Sequence, residues 1–242
     1  NEWSEWQMKN LNAIVWLYRG EIEKYQELVM VYRTQIVNEC IDLDSEFENI
    51  SRMLNGYGDP LTVMRQQVAD TIKQAIDINQ LIPLNEMLKH YTTELNNALK
   101  TFISYGDGLE KTEAKELAKS IDETASTWDR FKKMLSTHVE EVVAQIKACR
   151  SVIKEAKWLT EKFGDGIYAD VPGLCKIATI AEIEEKNWSL TPGAYVGIAP
   201  VKEDDENFEE RMAEIHKELL SLQTEANRLM DSISFSFEGL GI

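Results

Sequence analysis

A mainly α fold follows from three observations. Apolar residues recur in steps of three and four through most of the 242-residue chain, glycine and proline gather at a few points, and 43% hydrophobic content suffices for a buried core. The expected architecture is a long antiparallel helical arm (stalk plus distal helical bundle), then a small irregular segment with short strands, then a C-terminal coiled-coil-type helix. With 42 acidic and 26 basic side chains the formal charge is −16. Such a balance opposes direct binding to a phosphate backbone, which draws its affinity from Lys and Arg. Nucleic acid is expected to be held mainly by another part of a complex. No apolar run approaches the ~18 residues that read as a membrane span, and no charged-then-apolar leader is seen at the N-terminus, so no membrane partner and a cytoplasmic location are expected.

The first helix is signalled by Ser4 and Gln7 at capping-box spacing, with Trp3 and Met8 placed as a hydrophobic staple. It is expected to run to Leu54, loosened at Gly20, with Ile22, Tyr25, Val29, Tyr32, Ile36, Cys40, Leu43, Phe47, Ile50 and Leu54 along one stripe. Gly56 ends it, and Asp59-Pro60 opens a second helix to about Leu81. Pro83, which lacks an N–H and disfavours helix at Ile82, must reverse the chain there. A third stripe holds Leu84, Leu88, Tyr91, Leu95, Ala98 and Phe102 and breaks at Gly106. The fourth runs from Leu109 to Phe163 through Leu117, Ile121, Trp128, Phe131, Leu135, Val139, Val142, Ile146, Cys149 and Ile153, with Gly164 as its cap. At about 1.5 Å per residue the up and down segments nearly cancel, which predicts Phe163 beside the helix from Ser4 to Gly20.

Between Gly164 and Lys202 the texture changes to glycine, proline and short β-prone runs, with one brief helix opened by the box Thr179-x-x-Glu182. An acidic stretch, KEDDENFEE, suits the start of a final helix. Phe208, Met212, Ile215, Leu219, Leu222, Ala226, Leu229 and Ile233 then alternate steps of four and three. Sustained over more than about three heptads, that pattern is a candidate subunit-interface seam.

No catalytic constellation emerges. His90, His138 and His216 lack the preceding Glu of E-x-x-H metal bundles, since Met87, Leu135 and Ala213 stand there. The G-x-G pieces lack dinucleotide-fold context, and no G-K-[ST] occurs. Cys40, Cys149 and Cys175 form no C-x-x-C pair and read as buried free thiols. Catalytic, cofactor-binding and metal residues are all expected to be none in this chain.

The run YADVPGLCKIATIAEIEEKNWSLTPGAYVG resembles the segment that closes the catalytic domain in modification (M) subunits of type I restriction–modification systems, the adenine-N6 DNA methyltransferase subunits. The usual family run looks like D-V-P-G-F-C-K, a short helix, then L-T-P-G-R-Y-V-G. The terminal FEGLGI is similar to the family's L-x-G-L-G-Y ending, and NEWSEWQMKNLNAIVWLYRG looks like its stretch ending in W-R-G. Ala194 stands where the family commonly has Arg, which puts in doubt a phosphate contact from that position. The family's N-P-P-[FY] motif and glycine-rich S-adenosylmethionine loop have no counterpart here and would precede Asn1, so the chain looks like a C-terminal portion.

The resemblance implies four parts: 1–20, the end of the catalytic-domain region; 21–163, an inserted helical arm; 164–202, an irregular connector; and 203–242, an interaction helix. In the connector, Leu190, Thr191, Pro192, Gly193, Tyr195 and Gly197 are the candidate hinge, Tyr195 and Val196 its apolar anchor. The final helix is expected to pack with the specificity subunit, while the arm either docks a restriction, specificity or second M subunit or is a spacer. S-adenosylmethionine is expected only for the full-length enzyme. The reading from another class is a stand-alone helical-bundle scaffold.

Overall fold

The computed structural model describes residues 3–164 and 166–199, together with Met212, His216, Leu219, Leu222, Gln223, Ala226, Asn227 and Met230. Its elements are α1 (Glu5–Tyr18), α2 (Ile22–Met53), α3 (Asp59–Gln74), a 3-10 turn (Asn79–Leu81), α4 (Leu84–Asp107), α5 (Lys111–Ile121), α6 (Trp128–Phe163), α7 (Ile180–Glu185) and α8 (Gly193–Val196). The fold is mainly α, as the periodicity predicts. The short strands expected after Gly164 reduce, among the described residues, to an antiparallel bridge between Val171 and Cys175. Two units are distinguished: Asn1–Val171 with Cys175–Thr179, and Pro172–Leu174 with Ile180–Ile242.

In the first unit the Ser4 capping box forms: the Gln7 N–H donates to Ser4 Oγ at 3.2 Å and the Ser4 N–H to Gln7 Oε1 at 3.0 Å. The expected continuous helix to Leu54 is two helices. Gly20 adopts φ +75°, open to glycine at little cost, and the Glu21 N–H folds back onto the Trp16 carbonyl. This turn lays α1 beside α2 and α6. Asn10, 1% exposed, pins the three: its Nδ2 donates to the Glu155 carbonyl and to Glu155 Oε2, each at 3.1 Å, and its Oδ1 accepts from the Tyr32 hydroxyl at 2.9 Å. Burial, and then the Glu155 carboxylate, push the Tyr32 hydroxyl pKa up, so it remains a donor. The last turns of α6 thus lie on the helix that begins at Glu5, the return expected for Phe163.

The packing partners define directions. Cys40 meets Cys149 and Glu46 meets His138, so α2 and α6 are antiparallel. Arg65 bridges to Asp44, and Arg33 donates to the Ala75 carbonyl, so α3 runs against α2. Arg150 donates to the Asn85 carbonyl and Lys132 pairs with Asp107, so α4 runs against α6. The result is an up-down-up-down bundle of α2, α3, α4 and α6. Its core is the meeting of the four stripes: Phe47 stacks on Tyr91 at 3.8 Å between centroids, and Ile36, Leu95, Leu135 and Ile146 are at most 1% exposed. Each such burial is worth about 1.5–3 kcal/mol before chain entropy is counted.

Four local expectations are corrected. In α2, Leu28 is buried where Val29 was expected, and Ile22 is exposed, because the stripe steps from Tyr25 by three. The second helix stops at Gln74 rather than Leu81; Asp77 Oδ1 accepts from the Asn79 and Gln80 N–H groups, and Pro83 caps α4. α4 continues through Gly106, where an added Cβ would lie 2.0 Å from the Trp128 ring, so this glycine is a packing position. The helix expected from Leu109 to Phe163 is α5 plus α6: Asp122 Oδ1 takes the Thr124 N–H at 2.9 Å in a turn, and Thr127 Oγ1 caps α6. Gly164 is the C-cap, as expected.

Candidate functional site

The first candidate region joins the two ends of the helical unit. The Val171 and Cys175 backbones exchange hydrogen bonds of 2.9 and 3.0 Å across Pro172-Gly173-Leu174, and Asp170 Oδ1 accepts from the Ile177 N–H at 2.9 Å. The Tyr168 and Tyr18 rings meet in an edge-type contact, centroids 5.9 Å apart and planes at 68°. Burial first, then the neighbouring Cys175 and Asp170, raise the Tyr168 pKa and keep its hydroxyl protonated. Within the first unit, α1 together with Tyr168 and residues 176–178 encloses a cavity of about 280 Å³ lined by Val15, Tyr18, Tyr168 and Ile177 among others.

The second unit holds the candidate hinge. Pro192 and Gly193 make not a plain turn but the start of α8, with the Tyr195 N–H donating to the Pro192 carbonyl at 3.0 Å. Thr191 lies just ahead, its N–H 3.5 Å from Ser189 Oγ, and Gly197 at φ +70° ends α8. The Tyr195 hydroxyl donates to the Ser189 carbonyl, and Lys186 lies over its ring at 5.6 Å. Tyr195 and Val196 are half-buried, while Leu190 is 75% exposed.

Sequence reasoning treated VPG and LTPG separately and missed that they meet. The Gly173 N–H donates to the Val196 carbonyl at 2.7 Å. Gly173 has φ +76°, and a Cβ there would lie 2.6 Å from the Ala199 nitrogen, so only glycine lets the two segments close. The only legible signal was the pair of Pro-Gly dipeptides.

Of the candidate interface seam, Met212, Leu219, Leu222 and Ala226 are helical and exposed, Leu219 at 59% and Leu222 at 56%. Phe208, Ile215, Leu229 and Ile233 lie outside the described residues. Cys40 and Cys149 are buried with sulfurs 3.8 Å apart; the Cys40 contact and then burial push the Cys149 thiol pKa up, so Cys149 stays a protonated thiol at neutral pH. Cys175, half-buried, departs from the fully buried reading. Among the described residues no three His, Cys, Asp or Glu side chains come together to hold a metal, and no helix is long and apolar enough to cross a membrane.

Two known proteins share sequence with the chain. The type I restriction enzyme MjaIX methylase subunit of Methanocaldococcus jannaschii is 30% identical over 117 residues, 45% of this chain and 21% of that subunit. The type I restriction enzyme HindI methylase subunit of Haemophilus influenzae is 35% identical over 74 residues, 31% of this chain and 17% of that subunit. No family model matches, and no solved structure matches. The chain thus spans about a fifth of the length of these curated relatives, and a third to nearly half of it is similar to methylase subunits of type I restriction enzymes.

Proposed function

We propose that this chain is the C-terminal assembly portion of a type I restriction–modification methylase subunit, docking to the specificity subunit so that the full enzyme methylates adenine-N6 in DNA. The similarity to two methylase subunits carries the reading. The row Met212, Leu219, Leu222 and Ala226 supports its location: exposed apolar side chains at coiled-coil spacing gain most when a second helix removes them from water. In this reading the Gly173–Val196 closure sets where the tail departs, the restriction subunit is a further partner, and DNA is held only by the assembled complex. S-adenosylmethionine belongs to the rest of the subunit. No methyl-transfer step is assigned to the described residues.

Co-purification with the specificity subunit tests the docking. Leu219→Asp with Leu222→Asp should weaken assembly by about 100-fold, as loss of two interface anchors does, while the helical content of the chain stays unchanged. Undiminished assembly would move the interface off this helix.

A further inference from the structure

A groove of about 710 Å³ opens between α2 and α6. It runs between the end of α2 and the start of α6, and its walls carry the cations Arg52, Arg130 and Lys133 and one carboxylate, Glu141, over an apolar floor that includes Met53 and Met134. These cations stand out in a chain of net charge −16. Arg52 reaches only the Asn49 side-chain oxygen, at 3.3 Å, and Arg130 and Lys133 have no ion-pair partner among the described residues. The neighbouring Lys132, by contrast, is neutralised by Asp107 at 2.8 Å. Arg130 and Lys133 also lie in the first two turns of α6, the end of a helix where its macrodipole disfavours cations. His138 also lines the groove, 3.2 Å from Glu46 and 3.9 Å from Glu141.

The geometry points to this groove as a docking site for an acidic, amphipathic helix of a partner protein. Charge complementarity selects the sign of the occupant: three cations without an ion-pair partner among the described residues outnumber the one carboxylate, Glu141, in the lining, and gain Coulomb energy from Asp or Glu side chains at helical spacing. The floor selects its class. Phosphate backbones are held by cations and polar donors and make no use of two methionines. Met and Arg are by contrast enriched in protein–protein interfaces, and a trough between two antiparallel helices accepts a third helix with its apolar face down. Met134 is 39% exposed and adaptable enough to repack under such a face. The overall negative charge weighs further against a long polyanion. This inference stands apart from the tail interface and from the methylase reading, since it uses only residues of α2 and α6.

Methyl NMR on the full chain, ¹³C-labelled at methionine, is the test. The probes are a synthetic helical peptide of about three heptads with Glu on one face and Leu on the other, the same peptide with Lys for Glu, and a short DNA duplex. The Glu peptide should shift the Met53 and Met134 methyls saturably, weaken as salt rises, and lose at least about tenfold in affinity in the R130E/K133E variant, equivalent to ~1.4 kcal/mol. Both substituted positions are exposed, so circular dichroism should be unchanged. Three results would overturn the assignment: no saturable shift at millimolar Glu peptide, equal binding of the Lys peptide, or tighter binding of the duplex at the same two methyls, which would make this a nucleic-acid surface.

Discussion

The stripe along α2 and the row in the tail obey the same spacing rule and end in opposite environments. Tyr32, Ile36, Cys40 and Phe47 are each 1% exposed, whereas Leu219, Leu222 and Met212 are 59%, 56% and 48% exposed. The difference is supply of partners. α2 meets the stripes of α3 and α6 within its own unit, while the described tail residues leave their apolar side open to water. Periodicity therefore reports that a helix has a face to bury, and only the neighbours determine whether the same polypeptide buries it.

The most severe way to break this comparison is the same chemical change at both places. Ile146→Asp, at a position with no exposure, should cost about 3–5 kcal/mol and unfold the bundle cooperatively in urea. Leu219→Asp should leave the unfolding free energy from urea titration within about 0.5 kcal/mol of the parent. Equal losses would mean that Leu219 is already covered by its own chain.

A smaller, local effect is expected where the irregular segment imitates the precision of the core. Gly173→Ala places a Cβ 2.6 Å from Ala199 at positive φ and should cost about 1–3 kcal/mol. The loss should appear as faster exchange of the backbone amides at positions 173, 171 and 175, with the bundle's urea midpoint unmoved. A shift of the whole transition would show that the turn and the bundle fold as one.

The smallest effect sharpens the contrast from the bundle's surface. The Arg65 hydrogen bond holds the Asp44 carboxyl below its usual pKa. The folded state therefore takes up this proton at lower pH than the unfolded chain. Its contribution is full above the ordinary carboxylate value of about 3.9 and is lost as pH falls through the lowered folded value. Asp44 is 41% exposed, so D44N should cost only a few tenths of a kcal/mol at pH 7, narrowing to nothing in acid. Urea midpoints across that range measure it, and a penalty that persists in acid would assign Asp44 a role other than its charge.

Legibility followed the range of the interaction. The Ser4 capping box, the Gly164 cap and the stripes of α4 and α6 are local, set by residues three or four apart, and were readable. Breaks depended on competing local bonds: the Asp77 and Asp122 side chains stop helices that apolar spacing alone would continue. The functional surfaces were the least readable. Arg52 and Arg130 lie on different helices and share a groove only because α2 and α6 run antiparallel, and nothing near Asn10 in the sequence marks it as the buried pin for Glu155 and Tyr32.

By itself the sequence determined that the chain is helical, where most of its helices begin, which face of each is apolar, and a partial likeness to methylase subunits of type I restriction enzymes, because all of these are carried by neighbouring residues or by residue identity. Tertiary structure alone decided that Gly20 splits the first helix so that α1 can lie on α6, that Gly106 makes room for Trp128, that Gly173 meets Val196, and that three cations face one another across a groove. Each of these rests on groups brought together by the path of the chain, and contact between residues distant in sequence has no periodicity to announce it.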